Sequence, residues 1–150
     1  MRSIHKLSLA AVLASLAACG GGGEKQAETA QASPTPAAAA APSGPITPGP
    51  GGKVITVELY SDATGNYFKP NEITANKGDV IRYTLKVGVH NVHFLPDSNV
   101  GKSGYPQAPS DMLQLPGQTY DVLVDWAPGK YYFQCDPHAA LGMHGHVTVQ

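Results

Sequence analysis

The chain has 150 residues, with ten Lys and Arg against eleven Asp and Glu and a formal net charge of −1. This balance excludes the basic footprint of a nucleic-acid-binding protein, and it gives no strong long-range field for steering a highly charged partner. The 17 glycines and 13 prolines are unevenly distributed, and their distribution divides the sequence into three parts.

Residues 1–19 have the features of a secretory signal peptide. Two basic residues precede an apolar run over 7–18, which is shorter than the roughly 20 residues of a membrane span. The run ends in Leu-Ala-Ala-Cys and resembles the lipobox of bacterial lipoproteins, which predicts lipidation at Cys19 and anchoring on the periplasmic side of a bacterial membrane. The alternative is an ordinary secretory signal with an incidental cysteine, which would leave a soluble periplasmic protein.

Residues 20–52 have the composition of a disordered Gly/Ala/Pro linker. Four glycines open the segment, five consecutive alanines lie among six prolines, and the segment has no aromatic residue. Its one branched aliphatic residue is Ile46. Such a composition buries too little apolar surface to offset the entropy of ordering the chain. We therefore expect a tether that holds the following domain away from a membrane.

Residues 53–150 have strand patterns throughout and carry seven Lys and Arg against nine Asp and Glu. Alternating or β-branched runs predict strands over 54–60, 80–87, 92–95, 119–126, 130–135 and 147–150. Residues 96–117 contain four prolines and predict a long excursion, with a short helix near 110–113. Short strands without a long helical period favour an all-β sandwich.

The last third of the chain contains a pattern that is typical of copper in electron transfer. Cys135, His138 and Met143 fall within one loop. One thiolate with imidazoles and a weak axial thioether is the ligand set of blue-copper sites, whereas structural zinc sites use more cysteine or histidine and no methionine. Cys135 is also the only cysteine of the globular part, and metal ligation explains an unpaired cysteine in an exported domain.

The site needs a further imidazole, for which His90 is the first candidate. It precedes a predicted strand, and loops of a sandwich cluster at one end. His93 is the alternative, but strand alternation points it away from His90, so we expect a surface histidine there. His144 and His146 could form an auxiliary metal-loading patch with His93, or they are solvated strand residues. Met112 has no motif support as a ligand and is expected to pack.

Residues 53–150 resemble the plastocyanin and pseudoazurin branch of the cupredoxins. The resemblance rests on three segments in the family's order: Phe68-x-Pro70-x-x-Ile73 before Gly78-Asp79, then His90-Asn91, then Cys-x-x-His-x-x-x-x-Met before Gly145-x-Val147-Thr148-Val149. It implies a Greek-key β-sandwich of seven or eight strands. It also implies one copper ion near one end, bound by His90, Cys135, His138 and Met143.

The resemblance further implies a monomer that shuttles single electrons between redox partners, such as c-type cytochromes, a membrane redox complex, or a copper or haem reductase. By resemblance the backbone N–H of Asn91 donates to the Cys135 sulfur, and Pro137, which has no N–H, cannot be a second donor. Gln134 stands where plastocyanins have a tyrosine on a remote acidic docking route. We therefore expect electrons to pass through the ring edge of His138.

Two other functions compete with the electron carrier. A periplasmic copper-binding or delivery protein could use the same fold, although such proteins more often have open sites without a thiolate. An enzyme is the third reading, but four protein ligands leave no open coordination position, and no Ser/His/Asp or paired-carboxylate arrangement is present in the sequence. We expect no enzymatic activity.

Overall fold

A computed structural model describes residues 44–150. The predicted signal peptide over 1–19, its Cys19 and the predicted linker up to residue 43 lie outside the described residues. Within residues 44–150, no helix has both the length and the apolar character needed to cross a membrane.

The described chain forms seven strands in two sheets. They are β1 Val54–Asp62, β2 Gly65–Lys69, β3 Glu72–Ala75, β4 Val80–Leu85, β5 Thr119–Leu123, β6 Gly129–Gln134 and β7 His144–Val149. The first sheet has the order β2-β1-β4-β5 and the second the order β3-β7-β6. β1 runs parallel to β4 and β3 runs parallel to β7, so neither pair is joined by a hairpin. The predicted all-β sandwich is confirmed.

Alternation along the strands sets what is buried between the sheets. In β4, Ile81, Tyr83 and Leu85 are fully buried, while the intervening residues face outward. An aromatic cluster fills the space between the sheets, with the Phe133 ring 4.9 Å from Phe68 and 5.4 Å from Tyr83, in edge-on contacts. This core supports the strand ends from which the site loops emerge.

Several predicted elements differ from the structure. β2 and β3 were not predicted as strands, because each is only four or five residues long and Pro70 lies between them. The predicted strand over 92–95 is absent, and His93 makes only an isolated bridge with Gln134. The predicted helix near 110–113 is also absent. Ser110 instead donates its N–H to Val92, and Leu113 pairs with His90, so contacts distant in sequence replace local helical bonds.

The last residues of the predicted linker lie against the first sheet. The Ile46 N–H donates to a carboxylate oxygen of Asp121 at 2.8 Å, and the Gly49 N–H donates to the Gly78 carbonyl at 2.8 Å. A side chain at Gly52 would collide with that same carbonyl. The predicted boundary at residue 52 is therefore later in the chain than the first contacts with the domain.

A buried ion pair joins these contacts to the sheet. Arg82 on β4 donates from Nε and from Nη2 to the two carboxylate oxygens of Asp121 on β5, at 2.8 and 2.7 Å. The Asp121 side chain is fully buried. Burial raises the pKa of this carboxyl, but the bonds from Arg82 and from the Ile46 N–H outweigh burial, and the pKa is lowered overall.

We expect Asp121→Asn to lower the free energy of unfolding by about 2 to 3 kcal/mol at pH 7, because it leaves Arg82 without its buried countercharge. Since the folded-state pKa of Asp121 lies below the unfolded value, the carboxylate's contribution is complete at neutral pH and is lost as the pH falls below about 4. Urea denaturation at several pH values should therefore show the two proteins converging in acid.

The control is Asp125→Asn, which removes an exposed ion pair with Lys77 and should cost under about 0.5 kcal/mol. Equal losses in the two variants at pH 7 would contradict a special role for Asp121.

Candidate metal centre

Three separate elements bring the predicted ligands together at one end of the sandwich. His90 lies in the loop after β4, Cys135 directly follows β6, and His138 lies in a 3₁₀ helix over Asp136–Leu141. His90 Nδ1 is 3.2 Å from His138 Nδ1, and the Cys135 sulfur is 3.6 Å from the first and 3.4 Å from the second. Among residues 44–150, this is the single group of three His, Cys, Asp or Glu side chains whose ligand atoms converge.

The three donor atoms fit a metal ion between them. They form a nearly equilateral triangle, and the point equidistant from them lies about 2 Å from each, within the range of metal–imidazole bonds and slightly below that of metal–thiolate bonds. Two imidazole nitrogens and one thiolate are also the in-plane donor set that suits copper. Both the spacing and the chemistry of the site therefore match copper.

His90 points its Nδ1 atom, which has the free lone pair, toward the other ligands. Its Nε2 lies 3.1 Å from the Val87 carbonyl oxygen, which can only accept, so Nε2 carries the hydrogen and Nδ1 carries the lone pair. The ring is fully buried. Burial lowers the pKa of His90, the Val87 carbonyl raises it, and His138 lowers it, for a net decrease. The imidazole is therefore neutral and able to bind a metal at neutral pH.

Cys135 is fully buried beneath the loop. Burial raises the pKa of its thiol, the backbone N–H groups of Asn91 and His138 lower it, and Asp136 raises it, for a net increase. The Asn91 N–H, which is the expected donor to the sulfur, is one of the two backbone groups that lower the thiol pKa. The other is the His138 N–H, which donates a hydrogen bond to the Cys135 carbonyl at 3.1 Å. Because the thiolate is the ligand, a bound metal must displace the thiol proton.

A tight turn carries the chain from His138 to Met143. Gly142 ends the 3₁₀ helix with φ of 89°, a left-handed conformation that glycine adopts without strain. The Met143 N–H then donates to the His138 carbonyl at 3.2 Å, and the Cys135 N–H donates to the Met143 carbonyl at 3.1 Å. These bonds hold the fully buried Met143 beside the other three residues.

Asn91 and Asp136 brace the two ligand loops against each other. The Asp136 N–H donates to Asn91 Oδ1 at 2.8 Å, and Asn91 Nδ2 donates to Asp136 Oδ2 at 2.9 Å. His93 Nδ1 and Gln134 Nε2 also contact this carboxylate, at 3.0 and 2.9 Å. His93 was expected to be a surface histidine, but its ring is held by Asp136. Apart from the position of Asp136 next to Cys135, no sequence pattern indicates this role.

The remaining candidates lie apart from the site. His146 contacts Glu72, with Nδ1 2.8 Å from a carboxylate oxygen, and His144 is exposed on β7. The rings of both histidines lie 5.7 Å from Tyr132. Within residues 44–150, neither histidine belongs to a group of three or more side chains whose ligand atoms converge.

Comparisons with known proteins agree with this chemistry. Residues 55–150 match the model of the copper-binding proteins of the plastocyanin/azurin family. Plastocyanin of Vicia faba is 38% identical over 99 residues, which are 63% of this chain and 99% of that protein. Plastocyanin of Ginkgo biloba is 41% identical over 99 residues, 62% of this chain and 99% of that protein.

The chain is also similar to solved plastocyanin structures. The oxidised plastocyanin of Dryopteris crassirhizoma is 29% identical, covers 64% of this chain and 100% of its own, and superposes with a TM-score of 0.49.

Pro137 has no backbone N–H, so Pro137→Ala should add a donor next to the ligand cysteine and raise the reduction potential of the copper protein. An N–H that reaches the thiolate weakens its donation to Cu(II). One such bond of about 1 kcal/mol corresponds to about 40 mV for one electron. Cyclic voltammetry would measure the shift.

Pro128→Ala is the matched control, because Pro128 is exposed between β5 and β6, away from the ligand loop. An unchanged or lowered potential in Pro137→Ala would contradict the prediction, as would an equal rise in the control.

Proposed function

Because the chain belongs to the plastocyanin/azurin family of copper-binding proteins, we propose that it carries single electrons between redox partners, with one copper ion held by His90, Cys135, His138 and Met143. The observation that carries the proposal is the convergence of two imidazole nitrogens and a buried cysteine sulfur within 3.6 Å of one another. Copper bound there supplies one-electron cycling between Cu(II) and Cu(I).

The protein's contribution is a site that changes little between the two oxidation states. His90 and Cys135 are fully buried, and their loops are cross-braced by Asn91 and Asp136. A ligand set held this way cannot move far, so little structural reorganisation accompanies a change in the charge of the copper ion. Burial also keeps water from the thiolate. Four protein ligands favour a carrier over an enzyme.

The exposed edge of the site suits brief docking. His138 is half-buried, whereas His90 is fully buried, so His138 is the ligand through which electrons would leave. Apolar side chains near the ligand loops are exposed, with Val87 at 48%, Leu115 at 65% and Leu141 at 68%. Transient redox encounters typically bury less than about 1,200 Å². We infer a weak apolar contact with a partner such as a c-type cytochrome, a membrane redox complex or a copper or haem reductase.

Binding of Cu(II) to the purified protein tests the carrier directly. An intense blue thiolate charge-transfer band and a narrow copper hyperfine splitting in the EPR spectrum are expected, because the thiolate lies in the first coordination sphere. Cys135→Ser is the control and should lose the band. A pale, weakly held Cu(II) in the unsubstituted protein would overturn the carrier and favour the alternative, a copper-binding or delivery protein.

We further infer that the domain is exported as a monomer and held on the periplasmic side of a bacterial membrane by a lipid on Cys19. The Leu-Ala-Ala-Cys pattern behind an apolar run supports this inference. Cys19→Ser should move the protein from the membrane fraction to the soluble fraction, because a lipid chain supplies the binding energy. If the variant stays in the membrane fraction, another mode of attachment is favoured. If the unsubstituted protein is already in the soluble fraction, the soluble periplasmic alternative is favoured.

A further inference from the structure

The β1–β2 hairpin touches the metal centre through a serine hydroxyl. Ser61 Oγ lies 3.1 Å from His90 Nε2, the ring nitrogen that faces away from Cys135. This hairpin carries none of the four proposed ligands, and Ser61 is 29 residues from His90 in sequence. The contact therefore ties a third segment of the chain to the imidazole.

The hydrogen-bond directions define what Ser61 does. Its hydroxyl donates to Asn66 Oδ1 at 2.5 Å, so a lone pair of the oxygen is left for the His90 Nε2–H. That hydrogen is shared between Ser61 Oγ and the Val87 carbonyl. The Ser61 backbone N–H also donates to the Val87 carbonyl, at 2.9 Å. Both groups that accept from the imidazole N–H, the Ser61 hydroxyl and the Val87 carbonyl, are therefore held in place by β1.

Gly88 shows how closely these groups approach. Its φ is 99°, and a Cβ there would lie 2.4 Å from Ser61 Oγ and 2.8 Å from His90 Nε2, which no side chain can tolerate. The hairpin can contact the ring only because residue 88 has no side chain. The outer edge of the imidazole is therefore enclosed on three sides, by Ser61, Val87 and Gly88.

The hairpin itself is stiff. Ser61 and Asn66 form a cross-strand pair, next to the pair of Tyr60 and Tyr67. The two tyrosine rings stack on the opposite face, with centroids 5.2 Å apart and planes inclined by 17°. Asp62 accepts from the Tyr67 hydroxyl at 2.6 Å and from the Thr64 N–H at 2.8 Å. The Ser61 hydroxyl is consequently presented to His90 from a fixed position.

We propose that Ser61, oriented by Asn66, is a positioning residue for the copper ligand His90. It holds the ring in the orientation that points Nδ1 at the metal, and by accepting from Nε2–H it makes Nδ1 a stronger donor. A stronger donor favours Cu(II) over Cu(I), so Ser61 lowers the reduction potential. The proposal rests on the proposed function only in taking His90 as a copper ligand.

Three substitutions separate this role from general stability. Ser61→Ala removes the acceptor, Ser61→Thr keeps a hydroxyl on a strand residue, and Thr64→Val removes a hydroxyl of the same hairpin that bonds Asp62 instead of His90. Loss of an outer partner of a ligating histidine typically lowers metal affinity 10- to 100-fold. Because the Val87 carbonyl remains, we expect about a tenfold loss for Ser61→Ala, with a higher potential, and near-native values for the other two.

Hydrogen exchange of the His90 Nε2–H, followed by NMR in the diamagnetic Cu(I) protein and in the metal-free protein, gives a readout that does not depend on electron transfer. Ser61→Ala should speed this exchange in both forms, and Ser61→Thr should not. Asn66→Ala is a second variant that leaves Ser61 in place, and it should shift affinity and potential in the same direction by less.

Native affinity, potential and exchange rate in Ser61→Ala would overturn the proposal, as would equal changes in Thr64→Val. Failure of the proposed function has a different signature, because the unsubstituted protein would then lack the blue band. The exchange rates in the metal-free protein would still report whether Ser61 holds the ring. If Ser61→Ala does not fold, Asn66→Ala carries the test, and native behaviour there would count against the proposal.

Discussion

The hydrogen bond between His90 Nε2–H and the Val87 carbonyl fixes which side of the imidazole faces the cysteine. With the hydrogen on Nε2, the Nδ1 lone pair points toward Cys135 and His138. The space between His90 Nδ1, His138 Nδ1 and the Cys135 sulfur is then free of any hydrogen from His90. With the other tautomer, Nδ1–H would occupy the position of the metal. Ser61 shares the Nε2 hydrogen and holds the ring in the same orientation, and the bonds between Asn91 and Asp136 then tie the loop that carries the imidazole to the loop that carries Cys135.

The site is held by strands and by loops that are distant in sequence. β4 leads to His90, β6 leads to Cys135, and β7 begins directly after Met143. Since these strands belong to two sheets packed over one aromatic core, a shift of either sheet would move one ligand relative to the others. The reciprocal bonds between Asn91 and Asp136 cross this division and tie the two ligand loops together directly.

The buried ion pair that stabilises the fold and the residues that bind copper lie in different parts of the domain. The buried pair of Arg82 and Asp121 lies within the first sheet and also receives the incoming chain at Ile46. The copper end instead combines buried polar ligands with exposed apolar side chains such as Leu115 and Leu141. The first described contacts of the incoming chain are thus made on the first sheet, whereas the half-buried His138 lies in the ligand loops.

The sequence by itself determined the all-β class, the main strands and the cupredoxin resemblance, because period-two alternation and the spacing of Cys135, His138 and Met143 are local patterns. It missed β2 and β3, which are too short for alternation to be read, and it assigned a strand over 92–95 where only the isolated bridge between His93 and Gln134 forms. The tertiary structure alone decided that the His90 imidazole is held by Ser61 and the Val87 carbonyl, and that Asp136 anchors His93. The Ser61 and Asp136 contacts join residues 29 and 43 positions apart, and no local pattern encodes them, because they exist only once the strands have paired and the loops have met.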